Sequence, residues 1–282
     1  MRASESRMCW RKSQSNYGRH MKLLFWNMGR NDNADLALEC MRGNGVAIAA
    51  FAEHSGTEFT DGLLLGTGYR VLGFGGCDKI KVLVDSAVGD FSCFEESRFT
   101  VFALDCPEAQ CVFAAMHLVD RMSSPDAEPR LEDIRQMMGV VHGYERGLAI
   151  DKTVVMGDFN ANPYDRELLL PNAFNATLFK GILKSRPSRT WYGKNYPFMY
   201  NPTVHWLSED TETYGSHYYL SSDGTGPIWN CYDQALVSRA LMDGVRGYEY
   251  LRKIGDKELI ADWRPRREVS DHLPLLVEID MR

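Results

Sequence analysis

Short blocks of consecutive apolar residues recur along the chain, and many of them close on a polar or ionisable residue. Leu23-Leu24-Phe25-Trp26 runs into Asn27, Val46 to Ala52 runs into Glu53, and Cys111 to Met116 runs into His117. Thr153 to Met156 is followed at once by Gly157-Asp158-Phe159-Asn160. Runs this short, bounded by turn formers, predict strands buried on both faces. Tyr69–Phe74, Ile80–Val84 and Phe99–Leu104, punctuated by Gly and Asp, add strands at a spacing that suggests antiparallel pairing. Trp229 to Val237, carrying Asp233, and Pro274 to Ile279, just after Ser270-Asp271-His272, complete the predicted strands.

Two segments change period. Leu36, Leu38 and Cys40-Met41 predict a helix over Asn33–Met41, with Asn33 as N-cap and Gly43-Asn44-Gly45 as its stop. Leu131, Ile134, Met137-Met138 and Val141 recur at helical spacing and predict a helix of about five turns, with Asp126 near its start. Tyr164–Leu170 reads as a short helix. Residues 189–232 differ: roughly a quarter of them are aromatic, among scattered Gly, Ser, Asn and Pro. They predict long loops with a hairpin around Tyr214–Leu220.

No internal repeat, low-complexity tract or linker divides the 282 residues, so the expectation is one domain over 21–282. Residues 1–20 carry Arg, Lys, Ser, Asn and His without an apolar core, unlike a secretory leader, and read as a flexible extension. Composition is ordinary for a globular protein, 44% hydrophobic and 25% charged. A net charge of −6 argues against tight non-specific coating of nucleic acid, which draws on a basic stripe. It does not exclude a nuclease, since a cation and a few local basic residues can supply the positive field. Seven cysteines (Cys9, Cys40, Cys77, Cys93, Cys106, Cys111 and Cys231) show no Cys-x-x-Cys pair or zinc-like spacing. They read as reduced thiols of a cytoplasmic protein. No apolar run approaches the roughly 20 residues of a membrane span.

Strand ends on one edge of a packed sheet converge in space. Asn27, Glu53, His117, Asp158, Asn160, Asp233, Asp271 and His272 would therefore meet. Carboxylates, carboxamides and imidazoles gathered together can bind a hard cation and handle a phosphate.

The same residues carry a resemblance. Leu24-Phe25-Trp26-Asn27, Ala52-Glu53, Met116-His117-Leu118, Gly157-Asp158-Phe159-Asn160, Tyr232-Asp233-Gln234 and Ser270-Asp271-His272-Leu273-Pro274 resemble, in chain order, the motifs of the endonuclease/exonuclease/phosphatase superfamily. The resemblance spans about residues 22 to 280. It implies the deoxyribonuclease-I-like fold: an α/β four-layer sandwich of two packed mixed sheets flanked by helices. It implies Mg²⁺ (or Mn²⁺) held by Glu53, with Asn27 and Asp271 close to the ion. It implies His272 as general base or phosphate contact, oriented by Asp233, and Asp158 as water orienter or base, the choice between the two remaining open. Asn160 would donate to a phosphate oxygen, and His117 would stabilise the phosphate or protonate the leaving oxygen. Relatives that cut abasic DNA usually carry Tyr where His117 stands, which tilts the expectation away from abasic-site repair.

Substrate choice would lie in the loops. Trp191, Tyr200 and Tyr214, with Arg121 as a possible phosphate contact, are the candidate substrate-binding residues. Lys184, Arg186, Arg189 and Lys194 flank the aromatic segment. Aromatics interleaved with basic residues suit flexible nucleic acid, so a nuclease acting on DNA or RNA is the leading expectation. A phosphomonoesterase or a phospholipid/inositol-phosphate phosphoesterase is the alternative, and a catalytically inactive binding module the second. Met199-Tyr200-Asn201-Pro202 and Thr213-Tyr214 are similar to segments of uncharacterised bacterial members.

Overall fold

The computed structural model describes residues 20–55, 59–104, 110–209, 212, 214–221 and 224–282. The expected extension over 1–20 lies outside the described residues except for His20, which already belongs to the first strand.

Strand β1 (His20–Asn27) leads through α1 (Ala34–Asn44) to β2 (Ile48–Ala52), and the two strands pair in parallel. After α2 (Asp61–Leu64) come β3 (Tyr69–Leu72), β4 (Ile80–Asp85), β5 (Phe91–Glu96), β6 (Phe99–Leu104) and β7 (Cys111–His117). Helix α3 (Glu128–Leu148) crosses over to β8 (Thr153–Asp158), which is parallel to β7. The chain continues through α4 (Arg166–Leu169), β9 (Ala176–Thr177), α5 (Lys180–Ser185), β10 (Ser188–Trp191), β11 (Lys194–Pro197), β12 (Met199–Tyr200) and α6 (Thr203–Leu207). It ends with β13 (His217–Tyr218), β14 (Trp229–Asn230), β15 (Asp233–Ser238), β16 (Val245–Tyr250), the short ladders β17 (Lys253–Ile254) with β18 (Lys257–Glu258) and β19 (Ile260–Ala261) with β20 (Arg264–Pro265), and β21 (Leu275–Asp280).

One sheet has the order β16-β21-β1-β2-β4-β3 and the other β5-β6-β7-β8-β15-β12-β9. They stack on a shared core in which Leu23, Phe25 and Val277 of the first meet Phe102, Phe113, Ala115, Met156 and Ala235 of the second. Ala37, Leu38 and Met41 of α1 join this core, while Leu131, Ile134, Met137 and Val141 of α3 cover the other face of the second sheet over Val101, Ala114 and Val155. The result is the expected α/β sandwich of two mixed sheets with helices. Helix α1 ends where Gly45 takes φ +66° and donates to the Arg42 and Met41 carbonyls. Asn33 stands at its N-cap but sends its Nδ2 to the Val269 carbonyl instead of capping with its side chain.

Helix α3, 21 residues long, has close to the expected number of turns and begins two residues after Asp126. Two expectations change. No local hairpin forms at Tyr214–Leu220: β13 pairs with β14, while the local hairpin is β10 with β11. Strand β5, half exposed along its length, and β16, with Arg246 and Glu249 among its residues, lack the unbroken apolar run that marks the others.

Pairing decides what the fold does with its strand ends. Asn27 pairs with Ala52, and His117 with Asp158, because each pair closes two parallel strands. Strand β15 runs antiparallel to β8, so its first residue, Asp233, falls opposite Asp158. Strand β21 runs antiparallel to β1, so the residues before it, Asp271 and His272, arrive at the same edge. Among the described residues no helix is long and apolar enough to cross a membrane.

Candidate active site

At that edge the side chains converge on Asp158. Its Oδ2 accepts a hydrogen bond from Asn27 Nδ2 at 3.0 Å and lies 3.7 Å from His117 Nε2 and 3.8 Å from His272 Nε2. Its Oδ1 accepts from the Asn160 amide at 2.9 Å. Asn27 Nδ2 also points to Glu53 Oε1 at 3.4 Å, and His117 Nε2 reaches the same oxygen at 3.7 Å. Behind the site, His272 Nδ1 meets Asp233 Oδ2 at 2.7 Å.

Each position is anchored from the backbone outward. The buried Trp26 indole donates to the His272 carbonyl, and Ser270 Oγ donates to the Asn27 carbonyl while accepting the His272 amide. Asn160 Nδ2 donates to the Leu118 carbonyl. Glu53 and Asn160 both hold left-handed backbone, φ +47° and +46°. Non-glycine residues are uncommon there, and such positions cluster at functional sites.

The electrostatics follow from burial and pairing. Burial alone would raise the Asp158 carboxyl, but His272, His117, the Asn160 amide and Asn27 outweigh it and hold the group below its ordinary value. Burial would lower His272; Asp233, by charge and hydrogen bond, and Asp158 overcome it and raise the imidazole to about 10. Burial pushes Asp233 up against the pull of His272. A buried carboxylate–imidazolium pair with a second carboxylate in front is the outcome.

The structure adds one residue that the strand pattern did not show. His217 lies tilted against His272 with ring centroids 4.3 Å apart and stacks on Tyr232 at 5.2 Å, and its Nε2 lies 3.9 Å from Asp271 Oδ2. Burial, and then the His272 charge, lower it to about 4, so it is neutral at pH 7. Ser216 places it: its amide donates to the Asn230 carbonyl, its Oγ accepts the Asp233 amide and its carbonyl accepts the Leu273 amide. Gly215 permits that approach, since a Cβ there would fall 2.4 Å from the Asn230 carbonyl oxygen.

Glu53, Asp158 and Asp271 supply carboxylate oxygens and Asn27 a carboxamide, with no thiolate among them, a donor set that fits a hard divalent cation. Among the described residues, the tight groups of acidic and imidazole ligand atoms are His217, Asp271 and His272, and Asp158, Asp233 and His272. Neither contains Glu53, which faces the site from the other side beside His117 and Asn27.

The expected substrate contacts fare differently. Tyr200 is a correction: it is 1% exposed, packed in the core with the Lys180 ammonium over its ring, and offers no face to a ligand. It pairs with Val237, near the end of β15 away from Asp233. Trp191 is a second correction. Its hairpin joins the sheet at that same far end, through Met199, which pairs with Ser238, and its ring packs edge-on to Tyr192 and Tyr196. Arg189 of that hairpin is engaged with the Leu169 carbonyl and the Phe198 ring. The β10–β11 hairpin thus braces the sheet end, whereas Tyr219, further along the aromatic segment and exposed, stacks on His217 at the site. Tyr214 leans on Trp229 at 5.1 Å within the packing behind β13. Arg121 spends its guanidinium on the Asn160 carbonyl and Asp165, holding the Asn160 loop.

Comparison with solved structures accords with this architecture. ANGEL2, a 2′,3′-cyclic phosphatase, superposes with a TM-score of 0.61 at 14% identity, over 93% of this chain and 95% of that one. An endonuclease/exonuclease/phosphatase family protein from Bacteroides thetaiotaomicron gives 0.58 at 12% identity, covering 93% and 98%. Truncated TDP2 from Caenorhabditis elegans gives 0.57 at 14%, covering 93% and 97%. The chain has the endonuclease/exonuclease/phosphatase fold. No protein-family model matches the sequence, and no curated protein matches it by sequence. The endonuclease/exonuclease/phosphatase likeness is therefore carried by the arrangement of strands, with the short motifs at their ends.

Proposed function

We propose that the protein is a divalent-metal-dependent phosphoesterase, and most specifically a nuclease that hydrolyses phosphodiesters of DNA or RNA. The observation that carries the reading is the gathering of Asn27, His117 and His272 around one oxygen of Asp158, with Asp233 fixing His272 from behind. Solved structures of the same fold include a telomere-specific retrotransposon endonuclease domain, nocturnin and a mannosyl-6-phosphatase, and the reading transfers their common chemistry to this chain.

Hydrolysis needs an oriented water, a more electrophilic phosphorus and a stabilised leaving oxygen. Glu53, Asn27 and Asp271 would hold Mg²⁺ or Mn²⁺, which when bound supplies Lewis-acid polarisation of a phosphoryl oxygen. Asp158, the buried carboxylate at the centre, orients the attacking water and accepts its proton. His272, held by Asp233, presents Nε2 to a phosphate oxygen. His117, on the far side of Asp158, serves the leaving oxygen, and Asn160 with its fixed amide buttresses Asp158. The free thiols of Cys40, Cys77, Cys93, Cys111 and Cys231 suit work in the cytoplasm.

The test is an activity panel on purified protein: single- and double-stranded DNA, RNA and phosphomonoesters, with Mg²⁺ or Mn²⁺ and with EDTA. Cation-dependent cleavage of a nucleic acid, lost in Glu53→Ala and Asp158→Ala, is expected. Turnover of a phosphomonoester with every nucleic acid left intact would replace the nuclease by a phosphatase.

A further inference from the structure

The loop between β3 and β4 stands on the site edge, because Ile80 at the start of β4 pairs with Ala52, the residue before Glu53. Its tip is Phe74, which is 90% exposed. A single exposed aromatic is ordinary, but here the surrounding backbone is built to hold one in water. Glu95 Oε2 accepts hydrogen bonds from the amides of Phe74 and Gly76, both at 2.8 Å. Gly73 and Gly75 take φ +111° and +83°. A Cβ on Gly73 would fall 2.0 Å from Glu95 Oε1. The segment Gly73–Gly76 therefore wraps one carboxylate and leaves its only side chain outside.

The clamp is tied to the site. Glu95 is the last residue but one of β5, and the turn that follows the strand accepts the Lys79 amide on the Ser97 carbonyl and the His117 amide on the Arg98 carbonyl. The loop is thus joined to both sheets, on the side of Glu53 and His117.

We propose that Phe74 is a base-stacking finger that holds an unpaired nucleotide of a single-stranded nucleic acid beside the scissile phosphodiester. The proposal rests on the nuclease reading above. A flat neutral ring between glycines leaves room for a planar ligand to lie on its face, and every nucleobase has such a face. Bases in a duplex are already stacked on one another, so the ring selects unpaired ones. Exposed Lys79 in the same loop offers a cation to a neighbouring phosphate. Membrane insertion fits less well, because Phe74 is the one exposed large apolar side chain of the loop and a lone ring buries little surface in a bilayer.

The experiment is fluorescence anisotropy of a short fluorescein-labelled oligothymidylate, in EDTA so that it is not cut, with the wild-type protein, Phe74→Ala and Phe74→Trp. Phe74→Ala should weaken binding about tenfold, and Phe74→Trp should restore it. With thymines replaced one at a time by abasic sites, one position should cost the wild type affinity and cost Phe74→Ala nothing. Thermal melting of both variants should match the wild type, since the side chain lies outside the core. Equal affinity of Phe74→Ala and wild type, or identical abasic profiles, overturns the finger even if the wild type cleaves nucleic acid. Loss of binding to phosphatidylcholine–phosphatidylserine vesicles with oligonucleotide binding intact also overturns it. A wild type that hydrolyses phosphomonoesters but neither binds nor cuts oligonucleotides removes the nuclease reading and the finger together.

Discussion

Asp233 Oδ2 and His272 Nδ1 lie 2.7 Å apart, and both side chains are buried behind the carboxylate of Asp158. The Asp233 carbonyl is itself fixed by the Tyr250 hydroxyl at 2.8 Å. The imidazole therefore has one orientation and keeps its Nδ1 proton directed inward. Asp233→Asn would remove the charge that holds the imidazolium without emptying the space. The expected result is a loss in kcat on the order of 10²–10³-fold with the fold intact, and an NMR titration in which His272 takes up its proton at lower pH than in the wild type.

The same pair gives stability a defined pH dependence. His272 is raised from 6.5 to about 10 in the folded protein. Its contribution is therefore fully present below the unfolded value and is lost as pH rises through the folded one. Urea midpoints of the metal-free protein should fall between neutral pH and pH 10, and the fall should be shallower in His272→Gln. An equal slope in both proteins would mean that the proton is not held there.

Gly157 pairs with Met116 in the two strands that carry Asp158 and His117. A Cβ at Gly157 would fall 2.2 Å from the Met116 carbonyl oxygen. Gly157→Ala should cost about 1–3 kcal/mol by urea denaturation. It should also reduce kcat, because strand β8 must shift relative to His117.

The Arg130 guanidinium meets Glu167 Oε1 at 2.8 Å with both side chains almost wholly buried, linking α3 to α4. Arg130→Met leaves the buried Glu167 carboxylate with only the more distant Arg121, at 4.0 Å, and should cost about 3 kcal/mol. Arg130→Met with Glu167→Gln should recover much of that loss in the same denaturation measurement.

Trp191 braces a hairpin that joins the sheet at the end remote from Asp233. Trp191→Ala should leave kcat/KM on a nucleic acid at the wild-type level. A large rise in KM would return the hairpin to the substrate path.

The first, second, seventh and eighth strands were legible because both of their faces are covered, which leaves unbroken apolar runs with one polar residue at each end. Asn27, Glu53, His117 and Asp158 stand out against that background, and the parallel pairing of the strands makes sequence position a guide to spatial position. Asp233 and His272 come with strands read in the opposite direction and carry equally local motifs. His217 does not stand out. Its strand has two residues and its partner Asn230 is reached only through the chain's return. The aromatic segment misled for a related reason: Tyr200 sits in a two-residue strand, and local composition does not tell which end of a sheet so short a strand joins. The Phe74 loop was equally hidden, since the carboxylate that shapes it comes from β5, an edge strand without an apolar run.

The hydrogen bond from Asn27 to Asp158 runs from one sheet to the other. The two halves of the site are therefore set apart by the thickness of the core beneath them, as the jaws of a calliper are set by its beam. Phe25, Ala115 and Met156, which touch nothing that reacts, fix that gap. Enlarging Ala115 by a single methylene would be felt at the jaws as a change in reach between Asn27 and Asp158, so the rate of the chemistry becomes a readout of packing deep in the molecule.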